Sequence, residues 1–271
     1  MTVADIFEPW LKRWALVPDG APIITPGSRL LPVRLNDRPA MLKVALDVDE
    51  KYGNRLMTWW DGDGAAQVLA HHEDGLLLER AMGSRSLMHM AMNGEDDEAS
   101  RILCSALARL HAPRETPPPP LVELGPWFAS LRIATAQHNG LYALSLQTAE
   151  NLLANPQDVM VLHGDMHHDN VLDFGERGWL AIDPKWVRGE RGFDYANLMC
   201  NPDLPTATDP ARFRRQLDVI VEAAGLDHRR LLQWVLAFAG LSAAWFLEDD
   251  ALEQASGQLK VAQIAASMLD A

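Results

Sequence analysis

Short apolar runs separated by turn residues fill the first third of the chain, and helical spacings fill most of the rest. Residues 30–35 and 40–46 read as strands joined across the turn Asn36-Asp37-Arg38. Residues 49–60 read as a short helix, closed by Asp61-Gly62-Asp63-Gly64. Residues 67–71 and 76–79 make a second strand pair around Glu73-Asp74-Gly75. A small sheet with one helix cannot close a large core, so this part is expected to pack on the rest of the chain.

Helices dominate from Glu98 onward. Ile102, Leu103, Ala106, Leu107 and Leu110 share one helical face. Phe213, Leu217, Ile220, Val221 and Ala224 form another, and Leu252, Ala255, Leu259, Ala262, Ala266 and Leu269 a third. Thr116 and the four prolines after it predict a stiff, extended connector. Residues 231–247 are the longest apolar stretch, but Gln233, Gly240 and Ser242 interrupt it, which predicts a buried core helix. Inside this helical part lie three short strands, Val159-Met160-Val161-Leu162, Val171-Leu172-Asp173-Phe174 and Trp179-Leu180-Ala181-Ile182. The expected fold class is α+β and bilobal. A nucleotide-binding, strand-rich lobe spans 1–80 and a mostly helical lobe spans 81–271, with the catalytic motif facing the cleft between them.

The candidate chemistry sits at His163-Gly164-Asp165-Met166-His167-His168-Asp169-Asn170. Asp165 lies five residues before Asn170, and Asp183 follows a short hairpin. Phosphoryl transfer from ATP needs one carboxylate to take a hydroxyl proton and two oxygen ligands to hold magnesium. Folding the hairpin symmetrically about Glu176 and Arg177 sets Phe174 opposite Trp179 and Asn170 opposite Asp183. Directly opposed residues have Cβ atoms about 5 Å apart, which suits two side chains sharing one Mg2+. Asp173-Phe174-Gly175 spells the metal-binding tripeptide of protein kinases, but it follows Asn170 too soon. Asp173 is read as a solvated strand residue.

A kinase also needs a lysine for the ATP phosphates, on a strand and steadied by a helix glutamate. Lys43 is the one charge in Ala40-Met41-Leu42-Lys43-Val44-Ala45. Glu50 is its candidate partner, with Asp47 and Asp49 competing. The run Leu76-Leu77-Leu78-Glu79-Arg80-Ala81 is the expected lobe linker, whose backbone near Glu79 and Ala81 would meet an adenine edge. Gly27 and Ser28 precede the first strand as the candidate phosphate-covering turn.

Composition narrows the partners. The chain has 271 residues, 48% of them hydrophobic, ample for a core. Cys104 and Cys200 are the only cysteines, which points to neither a disulfide framework nor a zinc site. The acidic N-terminus lacks a secretory pattern, so a cytoplasmic location is expected, with no membrane partner. A net charge of −13 disfavours nucleic acid and suits a small cationic acceptor. Glu248, Asp249 and Asp250 close an apolar helix, where three carboxylates oppose the helix dipole unless a cation compensates. Asp169, Trp127, Glu248 and Asp249 are the candidate acceptor contacts, and a monomer or weak dimer is expected. His163, His167 and His168 keep open a metal-dependent phosphohydrolase, although imidazoles suit softer metals than magnesium.

These residues together resemble the aminoglycoside phosphotransferase family, of the protein-kinase-like fold. The resemblance is carried by Met41-Leu42-Lys43-Val44, Trp59-Trp60-Asp61-Gly62, Leu77-Leu78-Glu79-Arg80-Ala81, Leu107-Ala108-Arg109-Leu110-His111, the segment 162–170, Ile182-Asp183-Pro184-Lys185 and Gly189-Glu190-Arg191-Gly192-Phe193-Asp194. The doubled Trp and the last of these runs resemble the streptomycin 6-kinase and hydroxyurea-kinase branch. The resemblance implies that Asp165 is the catalytic base, that Asn170 and Asp183 hold magnesium, and that Lys43 holds ATP phosphates. It also implies that Asp194 braces the catalytic loop. The implied acceptor is an aminoglycoside of the streptomycin type, with hydroxyurea or a cellular metabolite as the alternative.

Overall fold

The computed structural model describes residues 3–270, which fall into two compact units. The first runs to Arg85 and regains the chain at Pro113–Pro120 and Leu172–Trp186. The second holds Ser86–Ala112, Leu121–Val171 and the chain from Val187.

The first unit is built on an antiparallel sheet. Its strands lie in the order Val17–Pro18, Ser28–Leu35, Arg38–Ala45, Gly75–Glu79, Val68–His72, with Ile23–Ile24 also paired to Ser28–Leu35. The expected hairpin forms with Leu35 opposite Arg38, so Arg38 belongs to the strand and the turn is Asn36-Asp37 alone. Both turn residues have positive φ, 48° and 63°, the left-handed backbone that Asn and Asp tolerate. The helix Val48–Trp60 starts where the Asp47 side chain accepts the Glu50 N–H at 2.9 Å, and it stops at Asp61 in the left-handed conformation.

The expectation of a single helix here is corrected. A helix at Val3–Arg13 sets Phe7 and Trp10 into a core with Leu31, Val33, Leu42, Val44 and Leu77, so the sheet closes a core within its own unit. Trp10 lies so close to Gly75 that a Cβ there would come within 2.6 Å of the indole.

The hairpin of Val171–Asp173 and Trp179–Ala181 also differs from expectation. Its turn is a 3-10 turn at Gly175–Arg177, closed by a 2.8 Å bond from the Phe174 N–H to the Gly178 carbonyl. The turn is therefore centred on Glu176, and the symmetric count about Glu176 and Arg177 does not apply. Asp173 is not a solvated residue either. Its carboxylate accepts the N–H groups of Gly175 (2.9 Å) and Arg85 (3.3 Å), and its carbonyl accepts that of Gly83. Ala181 exchanges backbone bonds with Gly64 and Ala66, which docks the hairpin beside the sheet.

The second unit is helical. His228–Glu248 runs through its centre, packed by Ala129–Gln137, Leu141–Ala154, Gly192–Met199 and Leu252–Leu269. Every residue from Trp234 to Ala244 is buried, so this helix is apolar all round because it is surrounded by protein. Among the described residues it is the one helix long and apolar enough to cross a membrane, and it is mostly buried inside the unit. Asp96–Leu110 packs on Pro210–Ala224 through a buried fork, Asp96 with Arg212 at 2.8 and 2.9 Å. A small sheet orders Val122–Glu123, Val187–Glu190 and Val159–Val161, and the last strand delivers the chain to His163.

Candidate active site

Each unit carries one half of the candidate chemistry. In the first, Lys43 lies on the strand Arg38–Ala45 opposite Leu30 and Leu76, buried among apolar neighbours. Its ammonium pairs with both Glu50 and Asp183. Glu50 is thus the helix carboxylate that steadies Lys43, and Asp47 is spent on the helix cap. Glu50 also takes Lys185 at 3.3 Å. Asp183 sits in the left-handed conformation at φ 60°. Burial alone would raise its pKa, but the Lys43 and Lys185 ammoniums outweigh that and hold it at about 2.

The segment bearing Asp183 is strapped to the same helix. Trp186 stacks on Tyr52 at 4.0 Å and donates its indole N–H to Asp49 at 3.2 Å. A Cβ on Gly53 would stand 2.4 Å from the Pro184 carbonyl oxygen, so helix and strap meet backbone to backbone. Gly27 lies beside the same helix start, where a Cβ would meet Asp47 and Glu50. Ser28 follows it at the start of the strand. It is buried, and its hydroxyl shares a 2.9 Å bond with Thr25. The Glu79 carboxylate pairs with Arg177 and accepts the Gln67 N–H. Its own N–H goes to the Gln67 carbonyl, so that donor is spent on the sheet. Ala81 follows one residue past Arg80, which pairs with Asp19.

The second unit holds the catalytic loop. Asp194 is fully buried and accepts the N–H groups of His163 (2.9 Å) and Gly164 (2.8 Å), with His111 Nε2 at 2.8 Å on the same carboxylate. His163 Nδ1 accepts the Asp165 N–H at 3.2 Å, which places the proton of a neutral ring on Nε2. Asn170 donates its amide to the Asp165 carbonyl at 2.8 Å. That leaves the Asn170 Oδ1 as the atom a metal would meet. The Asp165 carboxylate stays 39% exposed, open to a substrate. The Asn170 amide oxygen in the second unit and the Asp183 carboxylate in the first are each hard oxygen donors.

The histidines serve the loop. His167 Nδ1 accepts the Asp169 N–H at 3.3 Å, and His168 is buried, its pKa pushed down to about 4 by burial and by Arg212. Among the described residues no three His, Cys, Asp or Glu side chains gather as a metal cage. Asp169 is exposed at the end of the loop. Trp127 meets Phe193 and Trp245 edge-on at 5.9 and 6.0 Å, so it is a half-buried member of an aromatic cluster. Glu248 accepts a 3.0 Å bond from Ser130, and Asp249 is exposed at the helix end. Sequence reasoning gave no role to His111 or Lys185, although both lie inside quoted motifs. Their partners lie 83 and 135 residues away along the chain, beyond the reach of any local spacing.

Known proteins resemble the chain over most of its length. The family model for aminoglycoside/hydroxyurea antibiotic resistance kinases matches residues 13–250. The chain is 52% identical to a streptomycin 3''-kinase of Klebsiella pneumoniae, over 88% of this chain and 91% of that protein. It is 33% identical to a streptomycin 6-kinase of Streptomyces griseus, over 94% and 87% respectively. Among solved structures, a thermostable aminoglycoside phosphotransferase in ternary complex with ADP and hygromycin B superposes with a TM-score of 0.64 at 16% identity, covering 97% of this chain and 98% of that one. The protein-kinase-like fold is thereby shown.

Proposed function

We propose that this chain, which belongs to the aminoglycoside/hydroxyurea antibiotic resistance kinases, transfers the γ-phosphate of ATP to a hydroxyl of streptomycin. The observation that carries the acceptor is the 52% identity to a streptomycin 3''-kinase, well above the 33% to a 6-kinase. We take the 3''-hydroxyl as the position modified.

Asp165 orients the acceptor hydroxyl and takes its proton as the bond to phosphorus forms. The loop that carries Asp165 is fixed by Asp194 below and by Asn170 from the side. Lys43, held by Glu50, offsets charge on the nucleotide phosphates. Asn170 and Asp183 would hold magnesium, which would supply positive charge against the phosphate oxygens. The Glu79 carbonyl and the Ala81 N–H meet the adenine edge, and the backbone of the Gly27 turn covers the phosphates. Streptomycin carries guanidinium groups, which suit Glu248, Asp249 and Asp169, with Trp127 as an aromatic wall.

The test is ATP consumption by the purified protein with streptomycin, other aminoglycosides and hydroxyurea, followed by NMR of the product. Phosphate on the 3''-hydroxyl is the expected result. Consumption with hydroxyurea alone overturns the acceptor, and phosphate on the 6-hydroxyl overturns the position.

A further inference from the structure

Two lysines and two carboxylates meet in the strand-rich unit, and only one lysine has a role in the reaction as described. Lys43 pairs with Glu50 and Asp183, and Lys185 lies 3.3 Å from the other oxygen of Glu50. The four charges cancel. Their exposures are unequal: the Glu50 side chain is 10% exposed, Asp183 36% and Lys185 25%. Glu50 is thus the buried floor beneath both ammoniums, whereas Asp183 and Lys185 reach the surface of the group.

We infer that Lys185 is a second cation of the nucleotide-phosphate site, held by Glu50 alongside Lys43. The four side chains alone are neutral, so a divalent metal ion held at Asp183 would leave the group with two net positive charges. A triphosphate supplies the missing anion, and Lys185, the more exposed ammonium, is placed to meet it. A purely mechanical role for Lys185, stapling the strap to the helix, is already filled. The Tyr52–Trp186 stack, the Trp186–Asp49 hydrogen bond and the close approach of Pro184 to Gly53 make that attachment without it.

This inference rests on the nucleotide site proposed above, so the experiment reads nucleotide binding directly and needs no acceptor. Wild type, Lys185→Met and Lys185→Arg are titrated with ATP plus magnesium and with adenosine, and each variant's melting temperature is recorded. Loss of one charge-assisted contact predicts about tenfold weaker ATP binding by Lys185→Met. Adenosine affinity stays within about twofold, since no phosphate is present. Lys185→Arg recovers most of the lost affinity, because the charge is kept. An ATP affinity unchanged in Lys185→Met overturns the inference, as does an equal loss for ATP and adenosine. A wild-type protein that binds no ATP would instead refute the nucleotide site itself.

Discussion

Asn170 donates its side-chain amide to the main-chain carbonyl of Asp165 across 2.8 Å. One residue of the catalytic motif therefore holds the backbone of the other, and the five-residue spacing between them closes a loop. The Asp165 carboxylate takes no part in that bond. Asp165→Asn should fold normally and bind ATP as wild type does, while transfer falls about 10²–10⁴-fold, the usual worth of a general base. Steady-state turnover with streptomycin, beside calorimetric titration of ATP, checks both halves. Turnover within about tenfold of wild type would remove Asp165 from the base role.

Asp183 is ionised at any working pH, since Lys43 and Lys185 hold its pKa at about 2 against the pull of burial. Its charge is available to a metal ion without proton release. Asp183→Asn should weaken ATP binding in magnesium by about tenfold or more, yet change binding in EDTA far less. Titrations with and without magnesium separate the two. Equal affinities for wild type and variant in magnesium would place the metal elsewhere.

Much of this was legible in the sequence because the signals are local. The hairpin at Asn36-Asp37, the helix Val48–Trp60 and the strand bearing Lys43 follow from turn residues and apolar alternation. The helix Val3–Arg13 also had a signal, since Phe7, Trp10, Leu11 and Trp14 recur at helical spacing, but Pro9 interrupts the run. Turn geometry was less accessible. Gly175 adopts φ 65° and Gly178 φ 76°, and two permissive glycines leave the register of a hairpin unspecified by sequence. Long-range partners were out of reach. Asp194 lies 83 residues from His111 and Lys185 lies 135 from Glu50, and no periodicity links positions so far apart.

The Asp194 brace should be costly to remove. Its carboxylate is fully buried and serves two backbone N–H groups and His111. Asp194→Ala strands these donors, each at about 1–3 kcal/mol. Asp194→Asn keeps the volume and one acceptor oxygen and should lose less. Urea denaturation followed by tryptophan fluorescence ranks the three proteins. A midpoint for Asp194→Ala equal to that of wild type would mean the loop is held by other contacts.

The acidic end of His228–Glu248 is tested by charge removal. Glu248→Gln and Asp249→Asn together should raise KM for streptomycin about 3–10-fold at low ionic strength, and added salt should shrink the difference. KM for ATP should not move. A KM for streptomycin that ignores both substitutions would shift the acceptor site to another face of the helical unit.

His168 gives the catalytic loop a pH limit. It is 2% exposed beside Asp96, Arg212 and His167, and burial, reinforced by Arg212, lowers its pKa from 6.5 to about 4. The unfolded chain takes up a proton near pH 6.5 while the folded chain resists until about pH 4. Between these values the unfolded state binds more protons, so stability falls as the pH falls. Above pH 6.5 both states carry neutral His168 and its contribution is flat. The Asp183 carboxyl adds a separate loss only below pH 3.8, toward its folded value of about 2. Urea midpoints measured from pH 8 to pH 4.5 should therefore hold level and then decline below about 6.5. His168→Asn, which cannot titrate, should decline less steeply over that window. Identical slopes for the two proteins would assign the acid sensitivity to other groups.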